Sequence, residues 1–159
     1  MRQRQVPGKA EWAGYERDLD AQYAFRLLFG KKTHEVLELF ARGRGIERAS
    51  ELQFMPRKAF QYYVFAFVEY LRSASAAGDS DAASPFLRLL IQRERDDPGS
   101  VAEVFTELAP TIDFVAANQS YFNADPNIYG SFAEQADAIR KAVGPVDTPN
   151  TSLERTRDR

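Results

Sequence analysis

Apolar residues in this chain recur at spacings of three and four, and no stretch shows the period-two alternation of a half-buried strand. That spacing predicts helices almost throughout. A first helix runs from about Asp18 to Phe29, with Leu19, Tyr23, Leu27 and Phe25 turned inward and Gly30 as its left-handed stop. Thr33 can cap a second helix carrying Val36, Leu37, Leu39 and Phe40, ended by Gly43 and Gly45; a helical turn at Ile46 to Leu52 follows. Pro56 opens a long helix in which Phe60, Tyr63, Val64, Phe67, Val68 and Leu71 form one stripe. Tyr62, Phe65, Ala66 and Tyr70 lie off that stripe, so this helix is apolar nearly all round and reads as a buried hub. Ala76 to Ser84 reads as a loop of small residues, and Ser84-Pro85 starts a helix that Asp97-Pro98-Gly99 breaks. Ser100 to Glu103 has the form of a capping box ahead of Val104, Phe105 and Leu108, with Pro110 kinking or ending that helix before a segment to Asn118. Ser131 to Glu134 gives a second capping box and a last helix to Val143, closed by Gly144-Pro145.

The expectation is therefore an all-α single domain over residues 18–145, a bundle or orthogonal array of six to seven helices. Residues 1–17 form an N-terminal segment expected to be partly disordered, and the apolar-poor residues 146–159 a disordered tail. With 12 Phe and 7 Tyr against 2 Met, the core must be packed with aromatic rings, and each buried Tyr hydroxyl needs a partner. The absence of cysteine excludes disulfides, a thiolate nucleophile and Cys-ligated metal. The N-terminal stretch lacks the apolar core of a signal peptide, and no apolar run reaches the roughly 20 residues of a membrane span, so a cytoplasmic location is expected.

The tail run Thr148-Pro149-Asn150-Thr151-Ser152-Leu153-Glu154-Arg155-Thr156-Arg157 resembles the peptide made when translation runs into the recombination site that ends an integron gene cassette. The resemblance covers about a dozen of the 159 residues and carries no information on fold. It implies a mobile bacterial gene and an accessory role of the kind cassette proteins have as a group: resistance enzymes, antitoxins, anti-phage proteins, small-molecule binders.

Charge is unevenly spread. The overall net charge of −2 argues against direct nucleic-acid binding, yet residues 1–75 carry a net +4 and residues 76–159 a net −6. Residues 96–139 hold no Lys or Arg and eight carboxylates: Asp96, Asp97, Glu103, Glu107, Asp113, Asp125, Glu134 and Asp137. Gathered on one exposed side, these would steer a basic partner.

Specific chemistry is thin. His34, the single histidine, cannot supply the paired Glu-x-x-His of a di-iron bundle, a zincin motif or a triad with a nucleophile elbow. Asn123 to Glu134 places oxygen donors at calcium-loop spacing, but Asn123 replaces the first aspartate and Ile128 the obligatory glycine. Turn and cap roles account for the same residues, and no metal or cofactor is expected. The basic, glycine-rich Ala41-Arg42-Gly43-Arg44-Gly45 lacks a Walker Lys-Ser/Thr and reads as a helix stop beside a mixed basic corner of Arg42, Arg44, Arg48, Arg57 and Lys58.

The leading expectation is a non-enzymatic interaction protein of the antitoxin, immunity or nucleic-acid-mimic type. Its acidic half would bind a basic protein partner through Glu103, Glu107, Asp113, Asp125, Tyr121 and Tyr129. One alternative is a small-molecule binder or enzyme with an aromatic pocket lined by Tyr62, Tyr63 and Tyr70. Another is a self-associating structural protein that buries surplus aromatic faces in a homodimer.

Overall fold

The computed structural model describes residues 4–41 and 44–145. Among the described residues, seven α-helical segments carry the fold: α1 Leu19–Leu28, α2 Gly45–Phe54, α3 Arg57–Arg72, α4 Ser80–Asp96, α5 Phe105–Ala117, the single turn α6 Pro126–Tyr129, and α7 Phe132–Val143. Short 3₁₀ turns link them, and the described residues contain no strand. No helix among them is long and apolar enough to cross a membrane. The tail that carries the cassette resemblance, together with Arg42 and Gly43 of the basic corner, lies outside the described residues.

α3 is the hub its apolar pattern predicts. Its side chains are buried from Ala59 to Phe67 without a break, and again at Tyr70 and Leu71. Phe67 meets Phe40 at 5.2 Å and Phe86 at 5.3 Å between ring centroids, so the core is a chain of tilted aromatic contacts. Fully burying each such ring contributes roughly 1.5–3 kcal/mol.

Several local expectations are corrected. In α1 the buried residues are Ala21, Ala24 and Leu28, whereas Leu19 is 80% exposed and Tyr23 is exposed. The helix turns its small face to the core because Trp12, from the segment expected to be loose, is fully buried and fills that space, edge-on to Phe25 at 5.4 Å. Residues 33–40 form two 3₁₀ turns, Thr33–Glu35 and Leu37–Phe40, instead of an α-helix. Gly45 starts α2 instead of stopping a helix. A Cβ there would lie 2.4 Å from the Asp81 carbonyl oxygen, so glycine is what lets the start of α2 touch the start of α4.

Two prolines among the described residues sit inside helices. Pro85 lies a full turn into α4, which begins at Ser80, and Pro110 lies inside α5. Without an N–H, Pro85 cannot occupy the Asp81 carbonyl, and that is the carbonyl Gly45 packs against. The Ser100 capping box does not form, because the Ser100 hydroxyl donates to the carbonyls of Asp97 and Arg93. Glu94 takes over, its buried carboxylate accepting the backbone N–H groups of Gly99 (2.6 Å), Val101 (2.8 Å) and Ala102 (2.9 Å). Ser131 does cap α7, accepting from the Glu134 N–H, and Asp125 caps α6.

Candidate functional site

α2 and α4 lie side by side and run parallel. Gly45 meets Asp81 and Ala82 at one end; at the other, Arg93 donates to the Gln53 carbonyl at 2.7 Å and Gln53 donates to Asp96 at 2.8 Å. Their inner faces are closed by Leu52, Ala82, Phe86 and Leu89. Their outer faces diverge into a groove of about 770 Å³, which α6 closes at the N-terminal end of α4 with Ile128 and Tyr129. Its lining mixes apolar Ile46, Ala49, Phe54, Pro85, Leu89 and Ile91 with polar Gln53, Gln92, Arg88 and Arg95.

Three of those side chains are large, apolar and in water: Ile46 is 58% exposed, Phe54 45% and Ile128 70%. Singly they would be ordinary; here all three line one groove. The polar lining is ordered along α4. Asp81, Arg88 and Arg95 stand seven residues apart, on one edge of the helix. Asp81 lies 3.4 Å from the Tyr129 hydroxyl, which Ser80 also reaches at 3.1 Å. Among the described residues, neither Arg88 nor Arg95 stands in an ion pair. Beyond Arg95 a smaller concavity brings in Lys141 of α7, extending the cationic edge.

The eight carboxylates of residues 96–139 behave differently. Arg57 holds Asp97 at 2.5 Å and Glu103 at 2.9 Å, Arg4 pairs with Glu107, and Arg140 pairs with Asp113 and with Asp137. The Arg57 hydrogen bond keeps the Asp97 carboxyl below its usual range, and a hydrogen bond from Gln61 does most to lower Glu103. Asp96 accepts from Gln53 and Gln92, Asp125 caps α6, and Glu134 sits in the first turn of α7. The stretch therefore does not form one unpaired acidic face: five of its eight carboxylates meet arginines, two of which arrive from the N-terminal half.

The remaining sequence-derived candidates are dispersed. Glu103, Glu107 and Tyr62 come together on a polar concavity of about 700 Å³ with Arg4, Lys58 and Gln61. Asp113 is elsewhere, and Tyr121 packs edge-on against Phe114 and Phe122. Tyr129 alone reaches the groove. The three hub tyrosines do not line one pocket. The Tyr63 hydroxyl is within reach of the Leu28 carbonyl at 2.6 Å and that of Lys31 at 2.8 Å, and Tyr70 donates to Asp79 at 2.6 Å. Burial raises the phenols of Tyr62 and Tyr63, as expected for rings that plug a core. His34 lies exposed in a 3₁₀ turn. No group of three or more His, Cys, Asp or Glu among the described residues is placed to hold a metal ion.

No protein-family model, curated protein or solved structure matches this chain. The site is therefore read from its own geometry. Sequence reasoning missed Ile46, Phe54, Arg88, Arg95 and Ile128. The available signal was the seven-residue spacing Asp81–Arg88–Arg95 along a helix whose other face is apolar.

Proposed function

We propose that this chain is a non-enzymatic interaction protein and that its binding face is the groove between α2 and α4, closed by α6. The partner is another protein that brings apolar side chains and carboxylates. The observation that carries this reading is that exposed Ile46, Phe54 and Ile128 line one groove together with Arg88 and Arg95, which enter no ion pair with a described residue. Desolvating apolar side chains at the centre while charged groups meet at the rim is how protein interfaces combine affinity with selectivity. The mutual pairing of Arg57, Arg4 and Arg140 with the acidic stretch leaves less potential there for a basic partner. The accessory role implied by the tail resemblance suits a binding protein.

The test compares the two faces. A protein retained by the immobilised chain is purified, and its affinity is measured against Phe54→Glu, against Arg88→Glu and against the doubly substituted Glu107→Gln/Asp113→Asn. The proposal expects at least a tenfold loss for each of the first two and less than a threefold change for the third. A loss confined to the third would return the binding face to the acidic stretch.

A further inference from the structure

From the groove geometry we infer that the partner element is a single amphipathic α-helix carrying two carboxylates seven residues apart, which meet Arg88 and Arg95. This inference rests on the groove being the docking face, and it names what occupies that face.

Backbone hydrogen bonding favours a helix in this groove. Both walls are α-helices, and the Asp81 carbonyl that Pro85 leaves over is packed against Gly45, so the groove offers no strand edge. An extended segment lying in it would find no backbone ladder to pair with and only scattered side-chain partners for its own N–H and C=O groups. A helix carries its backbone bonds internally and presents only side chains. The dimensions agree: from Asp81 to Arg95 the wall is roughly 21 Å long at 1.5 Å per residue, room for about four helical turns. Anchors at i, i+3 or i+4, and i+7 would then sit between Phe54 and Ile128.

The charge order adds direction. Arg88 and Arg95 share the edge of α4 with Asp81, each separated by seven residues. A ligand helix packed along α4 brings every seventh residue back to the same edge. Carboxylates at two successive such positions meet the two arginines, and a cation at the third meets Asp81. The order acid, acid, base selects one orientation over the reverse, because the reversed helix would set its cation against Arg95 and a carboxylate against Asp81. Asp96, to which Gln53 and Gln92 both donate, is not among the residues that line the groove. A second copy of this chain fits less well. The segments it could offer from this face are α2, α4 and α6, and an end-for-end, two-fold pairing of α4 edges sets Asp81 against Arg95 but leaves Arg88 facing its own counterpart, so only one of the two arginines meets a carboxylate.

The experiment uses a phage-displayed library built on an 18-residue helical scaffold, with the apolar stripe and both flanking edges randomised. It is selected on the full chain and, in parallel, on Phe54→Glu and on Arg88→Glu/Arg95→Glu. The inference expects enrichment of Asp or Glu at two positions seven apart on one edge and a switch to Lys or Arg there on the double variant. A selected peptide, measured by fluorescence anisotropy, should weaken at least tenfold when two prolines are placed in its centre. If the proline-broken peptide binds as tightly and still loses binding to Phe54→Glu, the occupant is not a helix and only this inference fails. If Phe54→Glu selects and binds the same peptides as the parent chain, the docking face itself is wrong. If light scattering shows a dimer that Phe54→Glu dissociates, the occupant is a second copy and the inference is overturned.

Discussion

The rim where α3 begins and the groove between α2 and α4 contain the same kinds of charged residue in opposite states. At the rim, Arg57 bridges Asp97 and Glu103, Gln61 also donates to Glu103, and Arg4 pairs with Glu107. In the groove, Arg88 and Arg95 stand beside exposed Ile46 and Phe54 and enter no ion pair with a described residue. The acidic stretch, conspicuous in the sequence, largely meets internal partners, whereas two arginines in a charge-balanced helix pair with no carboxylate among the described residues. A local excess of one sign along a chain says little about surface potential until the long-range pairs are known.

α4 shows both states on one helix and offers the largest effect. Glu94→Ala removes the acceptor of three backbone N–H groups and should cost roughly 3 kcal/mol of unfolding free energy. Arg88→Ala and Arg95→Ala should each stay within about 0.5 kcal/mol. Urea denaturation of the three variants measures the contrast, and comparable losses for all would erase the distinction between a satisfied side and an open one.

α2 sharpens the contrast through pH. On its inner face Glu51 is buried beside Arg48 at 2.9 Å, and burial pushes its carboxyl up to about 7 despite that arginine. A carboxyl raised from 4.5 to about 7 binds its proton more tightly in the folded chain, so folding loses stability as pH rises through that interval. Glu51→Gln should therefore leave stability nearly unchanged at pH 5 and raise it by roughly 1–2 kcal/mol at pH 8. Thermal unfolding at the two pH values checks it; a variant less stable at pH 8 would show that the charged pair holds α2 in place.

Smaller still is the effect at the rim. Arg57→Gln should let the Asp97 and Glu103 carboxyls titrate at higher pH, toward their ordinary ranges, as followed by carboxyl carbon shifts. Unchanged titration would mean that the rim carboxylates are not held by this arginine. Smallest of all, Ile128→Ser at the exposed end of the groove should leave stability within about 0.5 kcal/mol, read by the same urea titration. A larger loss would make Ile128 part of the core.

What could be read from the sequence was local or periodic. The all-α class, the buried α3, the break at Asp97-Pro98-Gly99 and the Ser131 cap each depend on residues a few positions apart. Features set by distant partners were not legible. Leu19 and Tyr23 face outward because Trp12, well upstream, fills the space beside α1. Glu103 serves Gln61 and Arg57 instead of capping its own helix, and Glu94 replaces it from the preceding one. Pro85 and Pro110 read as boundaries, yet tertiary packing carries both helices through them. The groove escaped notice for the same reason: its two walls are separated by the whole of α3, and Ile128 comes from a turn read only as a loop.

The most direct test of the central claim is amide chemical-shift mapping of the isotopically labelled chain titrated with a bound partner or a library-selected helical peptide. The account predicts that the shifts concentrate in residues 45–54, 80–95 and 126–129 and vanish for Phe54→Glu. Shifts concentrated instead in residues 97–118 and 132–139, unaffected by that substitution, would contradict it.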